Sequence, residues 1–311
     1  MTPSKVFFSD LRATASRNIF AKLSRLLQEA GIDKKVRPGN LVAIKLHFGE
    51  EGTTGFIRPI FIRRIVDRIK ELGGSPFLTD TNTLYKGSRS HSVSHIVTAI
   101  ENGFAYSVVD APIIIADGLR GSSSVKIRVD KEIKKKKCNG CGECAAYCAE
   151  EAISIKEEKA VIDPKKCIGC GECIIICPNS AINVQWSRDI PIIQKKMVEY
   201  AFGVLKEKNE RALFINFLTH ISPLCDCNRY TDAPIVPDIG IIASTDPVAI
   251  DQVSVDMVNQ QTVLHGSSLK VNTRPGEDKF RGLYPDIDWG FQLDYAQKIG
   301  LGTRSYELIK I

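Results

Sequence analysis

Eight of the ten cysteines fall into two runs, Cys138-Asn-Gly-Cys141-Gly-Glu-Cys144-Ala-Ala-Tyr-Cys148 and Cys167-Ile-Gly-Cys170-Gly-Glu-Cys173-Ile-Ile-Ile-Cys177-Pro178. Both have the spacing C-x2-C-x2-C-x3-C of bacterial two-cluster ferredoxins. Three thiolates two residues apart can curl round one iron-sulfur cube, with glycines letting the loop bend tightly, while the fourth, on the following helix, points to the other cube. The spacing thus assigns one [4Fe-4S] cluster to Cys138, Cys141, Cys144 and Cys177, and the other to Cys167, Cys170, Cys173 and Cys148. Each cysteine of the first run recurs 29 residues later, and the flanks Ala152-Ile-Ser-Ile and Ala181-Ile-Asn-Val repeat as well, so the segment is an internal duplication. Zinc, which takes four ligands in a tetrahedron, fits two triplet-plus-one runs poorly. A disulfide framework needs an oxidising compartment, and the short apolar stretch after Met1 is no signal peptide. One asymmetry is visible, Ala149 standing where the second run has Pro178.

A second set of candidates lies outside the runs. Four polar groups follow predicted strands: Lys45 with His47, Thr79-Asp80-Thr81-Asn82, His220 with Cys225-Asp226-Cys227, and Ser244-Thr245-Asp246. Ligands of open α/β sheets bind beyond the carboxyl ends of the strands, so the four groups are expected to converge on one crevice. The catalytic candidates there are Cys225, Cys227, His47, Asp80 and Asp246. In an extended chain the two thiols would share a face, where they could ligate a metal with His220 and His47, form a redox pair or adjoin a small-molecule ligand; two buried thiols in a loop is the plainer alternative. Likewise His47 has a simple hydrogen-bonding role open to it, Asp246 a helix cap before Pro247, and Asp80 a turn. Lys86-Gly-Ser-Arg89 could hold an anionic substrate. Gly52-Thr-Thr-Gly55 is not a P-loop, because no Gly-Lys-Ser/Thr follows.

The elements that must position these groups alternate along the chain. Strands are predicted at Lys5-Val-Phe-Phe-Ser, at Leu41 to Leu46 (buried on both faces), at Pro76 to Thr79, at Pro112 to Ala116, at Ala212 to Phe217 and at Ile239 to Ala243. Helices are predicted around Leu23, from Pro59, through Val93, Ile96, Val97 and Ile100, around Val198, and from Pro247. This alternation predicts an α/β fold with a mostly parallel sheet covered by helices. The cysteine runs then form an inserted two-[4Fe-4S] ferredoxin-like α+β module over residues 131–186, between 1–130 and 187–311 of one α/β domain.

With 311 residues, 43% hydrophobic and 25% charged, the chain has the composition of an ordinary globular protein. No apolar run is long enough to span a bilayer, and thiol-rich metal chemistry suits a reducing cytoplasm. The net charge of +6 is concentrated at Lys134 to Lys137, either a solvated linker face or a docking site for an acidic redox partner protein. Lacking interleaved aromatics, that run does not read as a nucleic-acid surface.

The stretches Lys45-Leu-His-Phe-Gly-Glu, Thr79 to Gly87, Cys225-Asp-Cys227, Asp238 to Asp251 and Ala296 to Gly302 resemble the prokaryotic iron-sulfur centre proteins grouped as domain of unknown function 362. The resemblance covers nearly the whole chain and implies two [4Fe-4S] clusters beside an α/β domain of no settled reaction. Together these readings predict an iron-sulfur redox protein, a candidate ferredoxin-linked oxidoreductase, whose clusters exchange electrons with a site near Cys225 and Cys227. An electron-carrier or docking module without a catalytic site is the alternative.

Overall fold

Alternating burial makes the first strand. In β1 (Ser4–Asp10) Val6 and Phe8 face one core and Phe7 faces another, the period-2 signature of a strand covered on both sides. The computed structural model describes residues 2–83, 85, 87–119, 131–133, 137–167, 171–184, 190–206 and 208–311. Lys86, Lys134 to Lys136 and Cys170, singled out above, lie outside the described residues, as does the domain boundary expected at 187.

β2 (Leu41–Lys45) and β3 (Ser75–Thr79) pair in parallel through the helix Pro59–Glu71, which opens on a proline and buries Ile62, Ile65, Val66 and Ile69. Within β2 burial alternates, and Leu41 is 81% exposed, so the strand is not buried on both faces. Only Val42 and Ile44 pack against the core, because the element is an edge with one covered side. The segment expected as a strand at 112–116 runs alongside β3, with Ile114 N donating to Leu78 O at 2.9 Å, but forms an isolated bridge and not a full ladder.

The helix Ser92–Ala99 departs further from expectation. Of its apolar stripe Ile96 packs on the core but Val93 and Val97, 62% and 48% exposed, face outward, and its buried side carries His95 and Thr98. A π-helical turn, Ile100–Phe104, ends it, with Gly103 at φ 90°.

Between the halves, β4 (Lys131–Ile133), β5 (Ile153–Lys156), β6 (Lys159–Ile162) and β7 (Ile182–Val184) form two antiparallel pairs, β4 with β7 and β5 with β6. Two short helices, Glu143–Ala146 and Glu172–Ile176, complete this unit, which has its own core. The ladders obey the 29-residue repeat: Ile133 pairs with Ile182 and, exchanged, Ile162 pairs with Ile153.

Returning to the first sheet, β8 (Phe214–Leu218), β9 (Gly240–Ser244) and β10 (Tyr306–Lys310) join β1 in the order β10-β1-β9-β8. β10 is parallel to β1, but β9 is antiparallel to both β1 and β8. The sheet is therefore mixed and not mostly parallel. A loop without a crossover helix joins β8 to β9, and such a connection returns the chain antiparallel. All of β9 is buried, between the helix Pro247–Asn259 on one face and the helices Ile19–Glu29 and Pro59–Glu71 on the other. No described helix is long and apolar enough to cross a membrane.

Candidate functional site

In the cysteine module both runs reach their helices through a left-handed glycine, Gly142 at φ 83° and Gly171 at φ 85°, which lets the loop double back before the first helical turn. A side chain at Gly140 would place its Cβ 2.6 Å from the Glu158 carbonyl oxygen, so only glycine lets the first loop lie against the β5–β6 hairpin. As a result Cys138, Cys141 and Cys144 from the first run and Cys177 from the second line one cavity, closed by Ile155 and Ile182.

Backbone N–H groups point at the sulfurs in a repeated pattern. Ala152 N donates to Cys148 Sγ at 3.3 Å and, 29 residues on, Ala181 N donates to Cys177 Sγ at 3.2 Å; Ala160 N reaches Cys138 Sγ at 3.3 Å. The amides of Ala160 and Gly140 pull the Cys138 thiol below its ordinary range. Burial pushes Cys144 up to about 11, helped by the sulfurs of Cys173, Cys177, Cys138 and Cys141. Among the described residues no three His, Cys, Asp or Glu side chains gather as they would around a single ion. Four cysteines nonetheless line this one cavity.

The second site is assembled where the loop after β8 crosses the loops after β2 and β3. Glu50 N donates to Asp226 O at 3.0 Å and Thr54 N to Thr231 Oγ1 at 2.9 Å, which holds Cys225-Asp226-Cys227 over those strand ends. The pair does not lie in an extended chain. Asn228 N donates to Cys225 O at 3.0 Å, closing a turn, and Cys227 N donates to Cys225 Sγ at 3.4 Å. The neighbouring Cys225 thiol, supported by His47 and Arg89 and opposed by burial and Asp226, pulls Cys227 down to about 6; Cys225 is raised.

His47 Nδ1 lies 3.1 Å from Asp226 Oδ2 and 2.9 Å from Gly49 N. Burial pushes the Asp226 carboxyl up, but His47, the Cys225 thiol and Arg89 outweigh it and leave it below the usual range. Beneath this layer is a buried ion-pair network. Arg89, 2% exposed, meets Glu50 Oε2 at 3.2 Å and Asp80 Oδ2 at 3.6 Å and donates to Tyr85 Oη at 2.6 Å. Lys45 Nζ is 3.1 Å from Asp80 Oδ1, and Tyr85 Oη is 3.5 Å from Cys227 O. The Arg89 guanidinium is thus committed to Glu50, Asp80 and Tyr85.

His95, fully buried, was missed from sequence. Its Nε2 is 3.8 Å from Asp80 Oδ2 and its ring packs edge-on to Phe48. Burial holds its pKa down to about 4 against the pull of Asp80. A histidine amid the outward stripe Val93, Val97 and Ile100 was the available signal. His47 Nε2, Asp80 Oδ2, both His95 ring nitrogens and His220 Nε2 are buried without a hydrogen-bond partner in the protein. His220, at φ 52°, has its backbone N–H held by Asp238 Oδ1 at 2.6 Å.

Three of the four expected polar groups thus belong to the strand ends at this crossing, and Ser244-Thr245-Asp246 does not. Because β9 is antiparallel, Ser244 pairs with Val6 and Phe214, at the start of β1 and β8. There Asp246 caps the next helix through Val248 N and Ala249 N, both at 2.9 Å, and also binds Ser4 Oγ and Thr303 N.

A family model described as Domain of unknown function (DUF362) matches residues 42–147 and 154–256, taking in the loops after β2, β3 and β8 and most of the cysteine module. No curated protein matches the chain.

Proposed function

Since the chain belongs to the DUF362 family, whose description names no reaction, its chemistry must be argued from its own residues, and we propose that it is an iron-sulfur redox protein that carries electrons through two [4Fe-4S] clusters to or from the Cys225–Cys227 site. One observation carries this reading: Cys177 of the second run lines the same cavity as Cys138, Cys141 and Cys144 of the first. Cys167, Cys170, Cys173 and Cys148 are the symmetry-related set. Such clusters, when bound, accept and release single electrons at potentials set by hydrogen bonds to the sulfurs and by solvent exposure.

The chain's own contribution to that chemistry is the surroundings of the thiolates. The amides of Ala152, Ala160 and Ala181 stabilise negative charge on Cys148, Cys138 and Cys177, which favours a more reduced cluster. Ile155 and Ile182 cover one side of the cavity with apolar surface. In the α/β domain, His47, Asp226, Arg89 and Tyr85 surround the pair of thiols, a polar site with titratable groups held apart in pKa.

Anaerobic reconstitution tests the reading. The chain is expected to take up about eight iron and eight sulfide per molecule and to give electron paramagnetic resonance signals of reduced [4Fe-4S] centres with dithionite. A colourless, iron-free product would remove the proposal.

A further inference from the structure

We propose that Cys225 and Cys227 are a redox-active dithiol that closes reversibly to an intrachain disulfide and reduces disulfide substrates by exchange. The supply of electrons to it rests on the function proposed above; the exchange chemistry does not.

Geometry carries the argument. Residues i and i+2 of an extended strand stand about 6.7 Å apart, with neither sulfur obliged to meet the other. Here the turn closed by Asn228 N and Cys225 O folds the pair together, and Cys227 N donates to Cys225 Sγ at 3.4 Å. Cys225 is exposed, so a partner sulfur can reach the pair. The surroundings are built and not incidental: Asp226 Oδ1 takes a hydrogen bond from Cys225 Sγ at 3.4 Å, its other oxygen faces His47, and its carbonyl is held by Glu50 N. His47 and Arg89 favour charge on Cys227, whereas Asp226 and Cys227 itself oppose it on Cys225. Cys225 keeps its proton in a bond to Asp226 Oδ1, and the charges around Cys227 favour its ionisation, an asymmetry that suits Cys227 to attack and Cys225 to resolve.

The exchange balances. Cys227 Sγ attacks one sulfur of a substrate disulfide, forming a mixed disulfide and releasing one thiolate; Cys225 Sγ, losing its proton, then attacks Cys227 Sγ and releases the second. The chain ends with one new S–S bond and two fewer electrons, the substrate as two thiols once the released thiolates take up protons. Two electrons and two protons reopen the intrachain disulfide, one electron from each of two one-electron centres. A two-residue spacing closes a small ring, and strained, exposed disulfides of this kind exchange readily.

The test equilibrates the intact, anaerobically purified chain with graded ratios of oxidised to reduced glutathione, traps thiols with iodoacetamide and weighs the peptide containing residues 225–227. Both alkylation sites are expected to disappear together, with a loss of two hydrogens and full recovery on reduction. Cys225→Ser should trap glutathione on Cys227, and Cys227→Ser should slow glutathione capture at Cys225 at least tenfold. The dithiol is overturned if both thiols stay alkylatable at every ratio, or if they take up glutathione independently. Iron content read on the same samples separates the two proposals. A pair that cycles in a chain unable to hold iron sinks the relay and leaves the dithiol standing, and a pair that never closes in an iron-loaded chain does the reverse.

Discussion

Cys177 lines the same cavity as Cys138, although the two belong to different cysteine runs. What brings them together is the exchange in the ladders: β4 ahead of the first run pairs with β7 after the second, while β5 and β6 pair in the middle. Each half is thereby closed by the other, and the last cysteine of the second run is carried to the cavity of the first.

Crossed ligation has a direct test in iron counts. With Cys167, Cys170 and Cys173 all replaced by Ser, the reconstituted chain should keep about four iron atoms. Adding Cys177→Ser should bring iron near zero, whereas adding Cys148→Ser should leave it unchanged. The opposite pattern would mean that each run binds its own fourth cysteine.

The buried imidazole of His95 makes stability fall in mild acid. Its folded pKa of about 4 lies below the unfolded value of 6.5, so below pH 6.5 the unfolded chain gains a proton that the native one refuses. The stabilisation is complete above pH 6.5, falls between pH 6.5 and about 4, and then levels off, a loss of about 3 kcal/mol in all. Urea unfolding midpoints against pH, compared with His95→Gln, should show this segment of the acid slope vanish in the variant.

Asp246 has a structural part to play. Its carboxylate accepts from Val248 N, Ala249 N, Thr303 N and Ser4 Oγ, joining the last sheet helix to both termini of the domain. Asp246→Ala should cost about 2 kcal/mol in unfolding free energy by loss of the cap and the stranded amides. Glutathione exchange at Cys225 and Cys227 should be unchanged, because the residue sits at the other end of the sheet.

Cys227 should react as a thiolate at unusually low pH. Its iodoacetamide alkylation rate is expected to rise with a midpoint of about 6, against about 8.5 for an ordinary thiol. The groups acting on it are Cys225, His47, Asp226 and Arg89. Removing the neighbouring thiol with Cys225→Ala, or the imidazole with His47→Ala, should move the midpoint upward; an ordinary midpoint in the unmodified chain would refute the assignment.

Local pattern was enough for the elements with strong signals. The helix opening at Pro59 with its Ile62, Ile65, Val66 and Ile69 stripe and the Asp246-Pro247 cap are both set by neighbours within a few residues, and the structure follows them. Periodicity also located β1, β3 and β9, because alternating or continuous apolar residues need no knowledge of a partner. Strand direction is a different matter, since it depends on how the chain returns. The turn-rich loop after β8 carries no direction in its composition, and only the assembled sheet made β9 antiparallel and took Asp246 to the far end. The facing of the 92–99 helix was likewise a tertiary outcome. Burying His95 beside Asp80 left Val93 and Val97 outside, against their hydropathy, because the polar network of Arg89, Glu50 and Asp80 occupies the space that helix covers. Residue types announced the thiols and the carboxylates, and long-range packing decided which of them would meet.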